Sequence, residues 1–429
     1  MEAHPIRLTV DDDRRRSRLT VFFRLLLAIP HFVWIILWTI ATFFAAIAGW
    51  VAALVKGRLP DGLHRFLSAY VRYATHLGAY MSLSANPYPG FTGEPGYPVE
   101  VEIPPRQPQR RWTIALRLLL AIPALVLAAT LGSGFGGGGG GSSQADDSKA
   151  AWFFSSGVGG IAALCAFLGW FAALATGRMP LGLRNLAAYG IGYTAQAYSY
   201  ALLLTERYPN SSPDAIGPEW ELPPHPVRLA LADDGRRSRL TVLFRLLLAL
   251  PHLVWLVLWS MAAFLAAIAN GIVALVRGRS AEPLHRFLAA YVRYYTHVNA
   301  FLFLIANPFP GFVGEPGYPV EVSIAGVERQ SRWITFFRLF LAIPALLLSG
   351  AYSFALVVVG FLGWFAALAT GRMPAGMRDL GAAALRYIAQ ANAYWLVVTD
   401  EYPHASPALR PPSEPQVAVE PVQPVGAAA

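Results

Sequence analysis

Apolar positions in this chain run on for longer than any amphipathic surface helix requires. Leu25 to Val55 spans 31 residues without an Asp, Glu, Lys or Arg, and Leu339 to Thr370 spans 32. A helix crosses the hydrocarbon of a bilayer with about 20 residues, so these runs predict membrane helices. Between them lie stretches of a different pattern. Residues 63–86 mix Tyr, Ala, His and Arg in a more polar helix. Ile6 to Val10 and Val99 to Ile103 alternate with the period of two that marks a strand.

The pattern repeats. His4-Pro5-Ile6-Arg7-Leu8 returns as His225-Pro226-Val227-Arg228-Leu229, an offset of 221, and Tyr97 to Val101 returns at the same offset as Tyr318 to Val322. Each half is itself double: Arg24-Leu-Leu-Leu-Ala-Ile-Pro30 recurs 93 residues later as Arg117 to Pro123, and Arg245 to Arg338 is again 93. Gly57 to Gly177, however, is 120, which leaves 27 extra residues in the second unit. They include six glycines at 136–141 followed by Ser, Gln, Asp and Lys, a flexible, water-loving insert.

Every unit therefore reads as a basic lead-in, an apolar segment a carrying Leu-Ala-Ile-Pro (Leu-Ala-Leu-Pro in the third unit), an apolar segment b closing at Gly-Arg, and a polar, Tyr-rich segment c. In the first unit these are about 19–30, 31–55 and 63–86. The units divide as 1–105 with flanking strands, 106–222 with the insert at about 132–158, 223–326 with flanking strands, and 327–404. A Pro/Ala-rich tail at 405–429 is expected to be disordered. The expected fold is mainly α: a polytopic helical membrane protein of four tandem units in two nested duplications, with short β-strands outside the bilayer.

Composition adds constraints. Hydrophobic residues make up 55% and charged residues only 14%, against about 25% charged in soluble domains. The net charge of +9 does not point to nucleic acid. Its Lys and Arg stand at the ends of apolar segments, where they anchor helices. Acidic and basic residues at 11–16 precede any apolar stretch, so no cleaved leader is expected and the termini are placed in the cytoplasm. Cys165 has no disulfide partner, and the histidines recur as copies without the close spacing a metal needs.

Leu-Ala-Ile-Pro-His at 27–31, Gly-Trp-Phe-Ala-Ala-Leu-Ala-Thr-Gly-Arg-Met-Pro at 169–180, Leu-Leu-Leu-Thr-Glu-Arg-Tyr-Pro at 202–209 and Tyr-Pro-Val-Glu-Val at 97–101 resemble the bacterial DUF4389 membrane-protein family, an uncharacterised domain. The resemblance covers nearly the whole chain apart from insert and tail. It departs where the family's segment c opens more aromatically, at Leu63-His64-Arg65-Phe66 and Leu183-Arg184-Asn185-Leu186. It implies a multi-pass protein of the bacterial cytoplasmic membrane and supplies no catalytic residues.

Two topologies give eight spans. In one, a lies in the interface while b and c both cross; in the other, a and b form a transmembrane hairpin and c lies on the surface. Charge placement favours the second and segment length the first, and the first is taken as the expectation. In both, all linkers return to one side, so the copies run parallel.

Segment c carries the candidate site. Arg65, Arg72 and His76 share one helical face, repeated as Arg286, Arg293 and His297. The fourth unit has Asp379, Arg386 and Gln390, and the second has Asn185, Gly192 and Gln196. Ionisable groups inside a bilayer usually line wet or functional paths, so four such stripes suggest a shared polar route for a solute, ion or lipid. The competing reading is a non-catalytic membrane organiser or partner-binding subunit of an envelope complex. Its partners would be the bilayer, with anionic headgroups, and unidentified proteins. No nucleophile with a base, metal cluster or cofactor fingerprint is present in the sequence, so no cofactor and no enzyme activity are expected.

Overall fold

The computed structural model describes residues 4–132, 160–217, 220 and 222–409. The Gly/Ser-rich insert lies outside these residues, as does the tail from 410 onward. Unit 1 contains β1 (Arg7–Val10), α1 (Arg18–Phe22), α2 (Arg24–Leu27), α3 (Ile29–Lys56), α4 (Asp61–Met81) and β2 (Val99–Glu102). Unit 2 contains α5 (Arg111–Ala115), α6 (Arg117–Leu131), α7 (Ile161–Thr176), α8 (Leu181–Ala201) and a short α9 (Pro213–Ile216). Unit 3 repeats unit 1 as β3 (Val227–Leu231), α10 (Arg239–Leu243), α11 (Arg245–Arg277), α12 (Glu282–Leu302) and β4 (Val320–Ile324). Unit 4 is α13 (Arg332–Thr370) and α14 (Ala375–Trp395).

Segments a and b do not fold back on each other. In units 3 and 4 they form one continuous helix with Pro251 or Pro344 inside it. In unit 1, Pro30 sits in the first turn of α3, where it needs no backbone donor. The transmembrane hairpin is thus excluded, and each unit carries one long apolar rod. Three rods are long and apolar enough to cross a membrane: Ile29–Lys56, Arg245–Arg277 and Arg332–Thr370. The second unit's rod is made of two shorter apolar helices. The c helices do not meet this standard, so the expected eight spans are not found among the described residues.

Each rod ends at a glycine with positive φ, Gly57 (69°), Gly177 (70°), Gly278 (67°) and Gly371 (72°), whose N–H returns to the last turn. This left-handed cap is nearly free of strain only for glycine. The c helices end differently. Leu83, Leu203, Leu304 and Val397 all take positive φ, a conformation that costs a branched side chain about 1–2 kcal/mol. Each is held by its own unit's lead-in. Arg16 donates to the Leu83 carbonyl and Arg237 to that of Leu304, while Gln109 and Gln330 reach those of Leu203 and Val397.

The start of each rod carries a second holding contact. Arg24, Arg117, Arg245 and Arg338 are buried and lie over the rings of Tyr80, Tyr200, Phe301 and Tyr394 at 4.2–4.9 Å. Their guanidinium groups donate to carbonyls at or just past the C-terminus of c, where the helix dipole favours a cation.

Neighbouring units exchange ends. Arg16 N–H donates to Gly177 O and Met179 N–H to Arg14 O, while Gln109 N–H donates to Gly57 O. Arg18 reaches the Ala175 carbonyl at the end of the second rod, and Arg111 reaches that of Val55 at the end of the first. The two rods of a half therefore run antiparallel, contrary to the expected parallel copies. Units 3 and 4 repeat the exchange through Arg237, Gly371, Gln330 and Gly278. The halves join where α13 packs on α6 and α7, which is why the unit 4 span is 44% buried and those of units 1 and 3 only 17%.

The c helices form the middle layer, packed on the rods by one face and on a two-stranded sheet by the other. β1 pairs antiparallel with β2 (Arg7 opposite Glu102) and β3 with β4. Leu8, Val99 and Val101 point inward, whereas Arg7, Thr9 and Glu102 face out. The chain stays packed to Leu409: Ala405 lies against Gly182, and Ser406 is bonded to Asn185. The expected tail is therefore ordered over its first five residues.

Candidate functional site

The polar stripes of segment c do not meet one another; they face the sheets. In unit 1, Glu100 on β2 forms an ion pair with Arg72, Oε1 to Nε 2.9 Å, and lies 3.2 Å from His76 Nε2. Arg72 also donates to Gly93 O, and the His76 ring lies against Tyr97 at 4.7 Å. Unit 3 copies this with Arg293 between Glu321 (3.5 Å) and the Val322 carbonyl, and with His297 over Tyr318. Arg65 and Arg286, at the start of their helices, are exposed, and Arg286 pairs only with solvent-facing Glu282.

Units 2 and 4 use amides. Gln196 donates to Ile6 O (3.0 Å) and accepts from Asn210 N–H; Gln390 donates to Val227 O (3.0 Å) and accepts from His404 N–H. Buried Arg386 donates to the carbonyls of His404 and Ser406. Asn185 binds Ser406, Asp379 accepts from Ser212, and Gly192 lets Ile216 and Leu8 approach. Each half thus has one sheet straddling two c helices, with β2 on α4 and β1 on α8 in the first half, and the buried stripe residues fasten it or the segments that follow the c helices.

The stripe residues do not line the cavity found between neighbouring c helices. That cavity, of about 40 Å³ between α4 and α8, has room for about one water. It is lined by Ile35, Tyr70, Val71, Thr75, Ile191 and Tyr198 among others, and by none of the stripe residues. The electrostatics agree with a fastening role. Burial pushes the His76 imidazole down despite Glu100, and burial with Arg293 brings His297 to about 4. His225 and His404, packed near Arg386, are likewise held at about 4, chiefly by burial.

Glu100 and Glu321 were visible in the sequence as the polar positions of Tyr-Pro-Val-Glu-Val, but nothing there tied them to segment c. The buried arginines at the start of the rods carried a fainter signal: one cation six residues before each Leu-Ala-Ile/Leu-Pro proline.

The DUF4389 family (domain of unknown function) matches four times, at residues 18–92, 150–212, 239–313 and 332–406. No curated protein and no solved structure matches. One match falls in each of the four units, the second beginning at 150 and so leaving α5 and α6 outside it; together they cover more than half of the chain, which therefore belongs to the DUF4389 family.

Proposed function

We propose that the protein is a non-catalytic membrane scaffold. Its rods lie in the hydrocarbon, while the c helices and sheets form an aqueous platform for a partner at the surface of the bacterial cytoplasmic membrane. One observation carries the reading. Among the described residues, exposed large hydrophobic side chains lie on the rods or on loops that follow the c helices, as Tyr88, Phe91, Phe309 and Phe312 do. None lies on a c helix or a strand.

Two arguments favour rods embedded from one side over rods standing upright. Exposed apolar side chains on α13 run from Trp333 to Phe365, about 48 Å at 1.5 Å per residue. Fitting that into hydrocarbon about 30 Å thick needs a tilt of about 50°, beyond the usual 0–40°. The two-stranded sheets also have open edges and outward Arg, Thr and Glu along the c helices, and such edges are not tolerated in lipid. An upright c helix would carry them to membrane depth.

A transport role loses its support because the groups proposed to line a path, the exposed Arg65 and Arg286 apart, are bonded to the sheets or to the segments that follow the c helices. Proteoliposomes containing the protein should pass ions and small solutes no faster than protein-free vesicles, and Arg72→Ala with Arg293→Ala should leave that rate unchanged. Flux above the protein-free control that the double variant abolishes would restore the transport reading.

A further inference from the structure

Where the rods of neighbouring units exchange ends, the backbone sets arginine against arginine. Arg15 lies opposite Arg178, Arg236 opposite Arg372, and Arg279 opposite Arg329, each in an isolated antiparallel bridge. In the first two, the flanking bonds (Arg16 N–H to Gly177 O with Met179 N–H to Arg14 O, and Arg237 N–H to Gly371 O with Met373 N–H to Gly235 O) leave the facing pair without bonds of its own. That is the closer of the two antiparallel pairings, with Cα atoms about 4.5 Å apart and side chains on the same face. Like charges placed so are destabilising. All six arginines are exposed, and among the described residues the one ion pair that any of them makes, Arg236 with Asp234 at 3.7 Å, is itself solvent-facing and weak; the buried carboxylates nearby, Asp12 and Asp233, are taken by Arg16 and Arg237.

The surroundings identify what would neutralise the pairs. Beside Arg15 and Arg178, Arg18 reaches across the junction and Leu19 and Phe22 project outward from the rod. Beside Arg236 and Arg372 stand Arg239 and exposed Leu240; beside Arg279 and Arg329 stand Arg332 and exposed Trp333. Each site is a cluster of three guanidinium groups at the edge of an apolar surface. A free anion would find the charge but gain nothing from the apolar border. A phospholipid offers both, a phosphate for the fork of the guanidinium and acyl chains for the rod.

We propose that these three junctions are binding sites for the headgroup of an anionic phospholipid, one lipid per arginine pair. The fourth junction, where Gln109 N–H donates to Gly57 O and Pro108 stands at the position equivalent to Arg329, lacks the second arginine and is a weaker site. The proposal rests on the rods lying in lipid, and it adds that the leaflet they enter is the anionic one.

The test counts lipids retained by the full-length protein in native mass spectrometry from detergent micelles. Phosphatidylglycerol, phosphatidylcholine and inorganic phosphate are supplied in parallel arms. Three phosphatidylglycerol molecules should be retained, with about ten-fold preference over phosphatidylcholine. The Arg15→Gln/Arg178→Gln variant should retain two, and the corresponding lysine variant three. Equal retention of phosphatidylcholine, phosphate adducts in the same number, or an unchanged count in the glutamine variant would each overturn the proposal. Release of the protein from vesicles by alkaline carbonate would instead overturn the membrane reading, a result the lipid count does not determine.

Discussion

Arg16→Met probes the contact that holds the left-handed turn at the end of α4. The Arg16 guanidinium is buried, donates to both oxygens of Asp12 (2.6 and 3.1 Å) and donates twice to the Leu83 carbonyl (2.7 and 3.2 Å). The Asp12 side chain is only 3% exposed. Methionine keeps the volume but leaves a buried carboxylate facing a bare carbonyl, and removing one partner of a buried pair costs about 3–5 kcal/mol. The load falls on Leu83, already strained at φ 60°. The amides of Ser84 and Ala85, both bonded to Ala79 O, report the opening of this turn. Their hydrogen exchange should accelerate by about two to three orders of magnitude. The copies at Ile305 and Ala306, held by Arg237 and Asp233, should not change. Adding Asp12→Asn removes the stranded charge and should recover most of the loss, leaving about 1–2 kcal/mol for the missing bonds to Leu83. Unchanged exchange in Arg16→Met, or faster exchange in the double variant than in the single, would refute the reasoning.

Three further outcomes follow from the packing. His225, His297 and His404 are held at about 4 when folded against 6.5 when unfolded. The unfolded chain therefore binds more protons between these values, and stability should be full above about pH 6.5 and fall as pH drops toward 4, by up to about 3 kcal/mol per histidine. A melting midpoint in micelles that does not fall between pH 7 and 4.5 would contradict this. Gly190→Ala would put a Cβ 2.2 Å from the Leu131 carbonyl, separating α8 from its rod, and should lower the midpoint by an amount corresponding to about 1–3 kcal/mol. Gly350→Ala, exposed and with nothing within 4 Å, should raise it slightly by relieving a helical glycine.

The parts of the fold that depend on local pattern were legible in the sequence. The nested offsets located the four units, the period-two stretches became β1 to β4, and the Gly-Arg turns became left-handed caps at the expected glycines. What depends on partners was not legible. The proline of Leu-Ala-Ile-Pro reads as a break, yet Pro251 and Pro344 are carried inside continuous helices. Segment c has 20 uncharged residues from Leu186 to Thr205 and reads as a span. Those residues are apolar because rod, sheet and neighbouring helix surround them: 15 of the 21 residues of α8 are buried in protein. Hydropathy cannot distinguish a side chain buried by protein from one buried by lipid. The spacing of the stripe residues relates them to one another along a helix, but their partners, Glu100, Ile6 O and Val227 O, lie 24 to 190 residues away, beyond what helical spacing can relate.

The central claim is that both ends of every rod lie on the same side of the membrane. It is tested most directly by single cysteines at Ser17 and Arg58, the exposed start and end of the first unit's rod, in a Cys165→Ala background. Sealed vesicles of one orientation are treated with a membrane-impermeant thiol reagent from either side. Labelling of both positions from the same side, repeated at Ser238 and Arg279, is the predicted result. Labelling of Ser17 and Arg58 from opposite sides would stand the rod upright across the bilayer and contradict the account.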